Sequence, residues 1–276
     1  MTEYEVRFMN VKLTRNDFTC HHITDIPDPK AFPKHMHNGY ELLFFIRGDA
    51  DYMIEGSVYR LHENDLLLIS PRTYHCLKPL SPIVYERFVI NFPTDMIPES
   101  TESFIAGAPD VIHIPKDSSV YRFYQNWMEA EMHFTADEML NFVESSTAQL
   151  LTFLKYLPDK KDIQPIRKNK TLQMILEFID EHPTENINAE KLSAMFYMSP
   201  SWIVHTFRRE LGINLMQYIA KKRILYAESL IRNGESPTEA AKICEYESYV
   251  TFYRQYKKIL GRSPKEDMPS HTGKML

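Results

Sequence analysis

Over the first 115 residues the apolar positions form short runs of strand length, and after about residue 118 they recur every three or four residues. Val6, Phe8 and Val11 begin the first part, and Glu41 to Arg47, Ala50 to Glu55, Val58 to Leu61, Asp65 to Ile69 and Ile83 to Phe92 continue it. Turn signals separate the runs at Gly48-Asp49, Gly56-Ser57, Glu63-Asn64-Asp65 and at Pro71, Pro79 and Pro82. Short strands at this spacing predict a small antiparallel barrel or sandwich, so residues 1–115 are read as an all-β domain. On the last strand Tyr85, Arg87 and Asn91 share one face, while Phe88, Ile90 and Phe92 share the other. Both sets compete for the inward face, and alternation does not choose between them.

Residues 116–157 carry two helical stripes. Tyr121, Tyr124 and Met128 form one, and Met139, Phe142, Val143, Leu150, Leu151, Leu154 and Leu157 the other. Either both pack on the β-domain, or the second, more apolar than one face requires, also packs against its copy in a homodimer. Residues 158–170, rich in Asp, Lys and Pro and without apolar period, read as a linker.

Residues 171–267 are helical in pattern and repeat one plan twice. A helix from Thr171 to Glu181 stops before Pro183. Asn188 caps a short helix through Tyr197, Met198 turns, and Ser199-Pro200 opens a second helix running to Leu211. Ile203 and Phe207 lie four apart and face the core with Leu192 and Ala194. Ser201, Val204, His205 and Arg208 are left on the outward face. An Asn-x-x-Gln capping box opens a long helix from Asn214 to Arg232, with Tyr218, Ile224, Leu225, Ala227 and Leu230 for two cores. Ser236-Pro237-Thr238-Glu239 is a second capping box, Ala240 and Ala241 allow close packing, and Ser248 caps the last helix. There Phe252 and Tyr256 form the core pair, leaving Tyr249, Val250, Tyr253, Arg254 and Lys257 outward. Two short helices joined by a tight turn form the unit that sets a helix in the DNA major groove. Two such readers on one DNA face stand about 34 Å, or one turn, apart. Arg254 suits the O6 and N7 acceptors of guanine, His205 suits a base edge, and Arg208, Arg209 and Lys257 suit phosphate.

Charge agrees with that division. From residue 165 onward there are 17 Lys and Arg against 13 Asp and Glu, leaving 15 of the 32 basic and 24 of the 37 acidic residues before it. The C-terminal part is therefore the one suited to phosphate. Cys20, Cys76 and Cys244 are odd in number and far apart, which argues against a disulfide framework or zinc ribbon and fits a reducing cytoplasm. No apolar run approaches the ~20 residues of a membrane span, so no membrane partner is expected.

Residues 171–267 resemble the DNA-binding domain of the AraC-type family of bacterial transcription regulators. The resemblance rests on Leu192-Ser193-Ala194, Ser199-Pro200-Ser201, Phe207 through Gly212, Tyr218, Arg223-Ile224, Ala227, Leu230, Ala241, Phe252, Tyr256-Lys257-Lys258, Gly261 and Ser263-Pro264. It departs in the second turn, where Glu245-Tyr246 stands for the usual Gly-Phe. A Glu at positive φ costs ~1 kcal/mol or more, so another path is expected for that turn. The resemblance implies double-stranded DNA and a small-molecule effector as partners, RNA polymerase as a further one, and activation in preference to repression. Residues 268–276 are left as a tail.

His35-Met36-His37-Asn38-Gly39-Tyr40-Glu41, with Gly48 seven further on and with His75, forms a second constellation. His35, His37 and Glu41 share strand parity, and three imidazoles with a carboxylate are a sensible divalent-metal set. The pattern resembles the cupin barrel, and the cupin-like effector domain that AraC-type regulators carry at the N-terminus, which implies a site for a small effector, often a sugar, without catalysis. Asn64-Asp65 replaces the cupin Gly-Asp, and the Pro-x-Gly of cupin enzymes is missing. A metal-free effector pocket of His35, His37, Glu41, His75 and Arg87 therefore ranks above a bound metal. The expected architecture is a cupin-like barrel followed by helices, then an all-α domain with two helix-turn-helix units. Two further readings remain: a metal-dependent cupin enzyme fused to a DNA-binding module, and a metal or redox sensor using Cys76, for which a buried inert thiol is the simpler account. There is no nucleophile-base set and no glycine-rich phosphate loop.

Overall fold

Leu42-Leu43-Phe44-Phe45 is a strand with no solvent face, because the sheet that contains it is covered on both sides. The computed structural model describes residues 9–28, 32–158 and 161–269. They fall into two compact units divided after residue 168. The first unit holds strands β1 (Met9–Arg15), β2 (Phe18–Asp25), β3 (Tyr40–Arg47), β4 (Ala50–Ile54), β5 (Ser57–Arg60), β6 (Asp65–Ile69), β7 (His75–Pro79), β8 (Tyr85–Phe92), β9 (Val111–His113) and β10 (Lys161–Asp162). Among them come helices α1 (Glu99–Ala106), α2 (Ser119–Glu131) and α3 (Ala136–Lys155). One sheet runs β1-β2-β8-β3-β6-β9-β10 and the other β5-β4-β7, with antiparallel pairing throughout.

The two faces of the large sheet bury different residues. Leu43, Phe45, Leu67, Ile69, Tyr85 and Val89 pack with Ala50, Tyr52 and Leu77 between the sheets. Leu42, Phe44, Leu66, Phe88, Ile90 and Phe92 pack instead with Trp127, Val143, Leu150, Leu151 and Leu154 of the helices. The contest along β8 is thereby decided: the parity of Tyr85 and Arg87 faces the small sheet, and Phe88, Ile90 and Phe92 face the helices. Both helical stripes are used within the chain, since Tyr124, Met139, Val143, Leu150, Leu151, Leu154 and Leu157 are buried and Tyr121, Met128 and Phe142 partly so in the same cluster.

Several elements differ from the apolar pattern. Val6 and Phe8 lie outside the described residues, and Val11 sits in β1. Strand β2 was not expected because His22 interrupts its apolar face; the ring is buried through bonds to Glu131 at 2.7 Å and Glu86 at 3.1 Å. Strand β7 hides between prolines, and α1 occupies a stretch expected to be all-β. Part of the expected linker is tied to the first unit: β10 pairs with β9, and Ile166 N–H donates to Val58 O at 2.8 Å.

The second unit is helical, with α4 (Lys170–Glu181), α5 (Ala189–Phe196), α6 (Pro200–Thr206), α7 (Leu215–Arg232), α8 (Pro237–Ile243) and α9 (Tyr249–Leu260). Asn188, Ser199 and Ser248 cap α5, α6 and α9 through their side chains, and proline holds the first turn of α6 and α8. Three details correct the expectation. Asn214 caps α7 through Met216 N–H alone, and Ser236 caps α8 while Glu239 turns to Lys242 at 3.1 Å, so neither forms a reciprocal box. Ala194 is exposed, leaving Leu192, Ile203 and Phe207 to fill the first core. Residues 207–211 wind as a π turn rather than continuing the α-helix to Leu211.

Candidate effector site and nucleic-acid interface

Glu41 enters β3 with the parity of Leu43 and Phe45, which turns its carboxylate towards the space between the sheets. Its partners come from three other segments. His37 Nε2 lies 3.3 Å from Glu41 Oε2, the Tyr52 hydroxyl of β4 donates to Oε1 at 3.1 Å, and His75 Nε2 of β7 lies 3.7 Å from Oε2, beyond hydrogen-bond reach. His35 joins through the backbone: its N–H donates to His75 O at 3.1 Å and its carbonyl accepts from His75 N–H at 2.9 Å. The His35 and His75 rings stand 4.3 Å apart, and those of His37 and His75 5.1 Å. One ligand atom from each of His35, His37, Glu41 and His75 lies within 4.8 Å of the others. Glu41 and His75 are buried, His37 is half-buried and His35 is exposed.

Burial alone pushes the Glu41 carboxyl up, but His37 and His75 beside it outweigh burial and hold it well below the usual carboxylate range. Glu41 is therefore an ionised carboxylate inside the protein. Burial and the charge of Glu41 together push the Tyr52 phenol well above its ordinary value, so Tyr52 stays a donor. Tyr52 is not recoverable from the sequence because only the packing of the small sheet on the large one brings β4 to Glu41.

Arg87 stands apart from the four. Its guanidinium lies 5.2 Å from the ring centre of Phe32 and 5.7 Å from that of Tyr85, and its buried Nε has no hydrogen-bond partner among the described residues. It is a positive charge on the same side of β8 as Tyr85, and its field reaches Tyr52. Cys76, adjacent to His75, is buried, and burial raises its thiol pKa, which makes it an inert thiol.

In the second unit Ser201, Val204, His205, Arg208 and Arg209 are all exposed on α6 and the turn that follows it. Tyr249, Val250, Tyr253, Arg254 and Lys257 are exposed on α9. The aromatic residues four apart do the opposite work: Phe207, Phe252 and Tyr256 are fully buried and fix each helix from behind. The turn before α9 does not take another path. Glu245 adopts φ 56, and Tyr197 holds the same left-handed conformation, φ 55, at the turn before α6. Both turns thus place a side-chain-bearing residue at positive φ. No helix among the described residues is long and apolar enough to cross a membrane.

Two family models match the chain in the order of these units. One, described as the AraC-like ligand binding domain, covers residues 21–131, and one described as a helix-turn-helix domain covers residues 192–268. The chain is 24% identical over 226 residues to an uncharacterized HTH-type transcriptional regulator of Bacillus subtilis (strain 168), spanning 77% of this chain and 78% of that one. It is 23% identical over 242 residues to the arabinose operon regulatory protein of Escherichia coli (strain K12), spanning 83% and 80%. Among solved structures, ToxT from Vibrio cholerae O395 is aligned over 91% of this chain and 97% of its own at 16% identity, with a TM-score of 0.39. With a ligand-binding model and a DNA-binding model matched in sequence, each on its own folded unit, the chain belongs to the AraC family of transcription regulators.

Proposed function

We propose that the chain is an activator that binds a specific DNA site with α6 and α9 and answers to a small oxygen-rich molecule, a sugar or related metabolite, in the β-domain. The observation that carries this reading is the pair of exposed faces, Ser201, Val204, His205, Arg208 and Arg209 on α6 and the turn after it and Tyr249, Val250, Tyr253, Arg254 and Lys257 on α9, each set against a buried aromatic anchor. Arg254 reads a base and the basic residues behind Phe207 and Tyr256 grip phosphate. His35, His37, Glu41, His75 and Arg87 supply acceptors, a carboxylate and a positive charge for a hydroxylated effector. Two copies bind together and present four readers, and activation proceeds through contact with RNA polymerase.

Footprinting on the DNA flanking its own gene, with and without a panel of sugars, is the test. A protected stretch with two blocks about 10 bp apart per copy, altered by one sugar, is expected. Absence of protection under every condition overturns the reading.

A further inference from the structure

Arg87 is a half-buried charge without a counter-charge. It lies on β8 with the parity of Tyr85 and Val89, and its register partners Ile23 of β2 and Phe45 of β3 share the face turned to the small sheet. The rings of Phe32 and Tyr85 meet edge to face at 5.6 Å and make a corner beside the guanidinium. Ring faces answer only part of the cost of taking a guanidinium out of water. The acceptor beside it, the Tyr85 phenol, is neutral, because burial raises its pKa above the ordinary value. Three carboxylates of the large sheet share this face, and each is engaged elsewhere. Glu41 is held by His37 and Tyr52, Asp65 by His113 and the N–H of His62, and the exposed Asp25 accepts from the N–H of Ile26 at 2.7 Å. Among the described residues no carboxylate pairs with Arg87, and its buried Nε has no acceptor.

The adjoining strands add positive charge to this face. His21 of β2 lies diagonal to Arg87 across the β2–β8 pair, and Lys12 of β1 stands directly opposite His21. Burial first, then the charges of Arg87, Lys12 and His22, push the His21 imidazole down to about 4, and each of those charges is positive. Thr19 and Asn91, bonded to each other at 3.1 Å, continue the face as far as the register position of Glu41. His21, Thr19 and Asn91 are half-buried like Arg87, so the small sheet covers this strip only in part. We propose that the effector is a carboxylate-bearing polyhydroxy compound, with its carboxylate in the fork of Arg87 beside His21 and Lys12 and its hydroxyls turned to Thr19 and Asn91. A planar guanidinium offers a carboxylate two parallel hydrogen bonds. Four residues of β8, ~13 Å of strand, separate Arg87 from the position opposite Glu41, which keeps the two carboxylates apart. A neutral sugar leaves the guanidinium unanswered. A phosphate monoester brings close to two negative charges to one guanidinium and an exposed lysine.

The carboxylate class rests on the effector reading of the β-domain, yet it can be tested without DNA. The full chain is titrated by calorimetry with matched sets: glucose, galactose and xylose, their uronic and aldonic acids, and their phosphate esters. At least one acid is expected to bind and to raise the melting temperature, with its neutral parent bound roughly 10–100-fold more weakly. Arg87→Met, which keeps the length of the side chain, is expected to weaken the acid by roughly 10–100-fold. Arg87→Lys, which keeps the charge without the fork, should weaken it less, and Lys12→Gln by a few-fold, an effect that shrinks in high salt. Melting without ligand shows whether each variant folds, and if Arg87→Met does not, Arg87→Lys and Lys12→Gln decide. Failure of every acid to bind overturns the proposal, as does tighter binding of the neutral parent or the phosphate ester. Unchanged acid affinity in a folded Arg87→Met chain, or in both of the other variants, does the same. A neutral sugar that alone alters the footprint strikes the carboxylate and leaves the regulator reading standing, whereas acid binding without a footprint under any condition strikes the regulator reading alone.

Discussion

The phenol of Tyr256, fully buried on α9, donates to Asp267 Oδ2 at 2.8 Å, and through it the last reading helix is tied to the end of the described chain. Asp267 also accepts from Arg262 Nε at 2.8 Å and Arg232 Nη2 at 3.0 Å, and Arg232 Nε donates to Glu228 at 3.1 Å on α7. Asp267→Ala leaves a buried phenol without its acceptor and the guanidinium groups of Arg232 and Arg262 with Glu228 alone. Because both arginines are about a third exposed, the expected loss is about 3 kcal/mol, at the low end for a broken buried pair. Tyr256→Phe, which keeps the ring, is expected to cost about 1.5 kcal/mol. Urea unfolding of the second unit's helices checks both; equal, negligible losses would mean the network holds nothing.

Glu245 and Tyr197 occupy corresponding turns with φ 56 and 55, a conformation that costs a side-chain-bearing residue ~1–2 kcal/mol. Glu245→Gly removes that cost, partly offset by the greater freedom of glycine in the unfolded chain. A gain of about 0.5–1 kcal/mol is expected. A denaturation midpoint that stays put or falls would show that the Glu245 side chain supplies a compensating contact.

His22 carries a pH dependence of known sign. Burial pushes its pKa down, but the hydrogen bonds to Glu131 and Glu86 outweigh burial and raise it from 6.5 to about 9. The raised value means that the stabilisation is fully present below about pH 6.5 and is lost as pH climbs through about 9. The first unit should lose on the order of 3 kcal/mol across that window, the lowered pKa of Glu86 being the same interaction seen from its partner. Thermal melts from pH 6 to 9.5 should show the decline in the parent, and His22→Gln should flatten it. A flat parent profile refutes the assignment.

Arg254 and Lys257 lie one turn apart on the same exposed stretch of α9 but are expected to act differently. Arg254→Ala should weaken specific binding by ~1–3 kcal/mol and relax preference at one base pair. Lys257→Ala should weaken binding to all sequences alike and lower the salt slope by ~1. Competition binding against single-base variants of the footprinted site separates the two. Identical behaviour of both variants would remove the division between reading and gripping.

Much of the second unit is legible from local chemistry. Asn188, Ser199, Pro200, Pro237 and Ser248 act within four residues of themselves, so their capping roles follow from the sequence alone. The same locality explains the two misread boxes: a Glu or Gln three residues into a helix can cap or can seek another partner, and Glu239 chose Lys242. The first unit was legible only where alternation was clean. Strand β2 buries an imidazole among apolar residues because two carboxylates 64 and 109 positions away compensate it, and no local pattern records that.

By itself the sequence determined the two-part order, the capped and repeated helices, the outward sets on α6 and α9, and the four residues His35, His37, Glu41 and His75. Those depend on spacing within a few residues, where helix and strand periods hold. Tertiary structure alone decided which face of β8 turns inward, that Tyr52 donates to Glu41, and that a glutamate takes the left-handed turn at 245. It also aimed three imidazoles at one carboxylate. These outcomes depend on strand pairing and on groups far apart in the chain, where the energy of one residue is set by neighbours that its own segment does not contain.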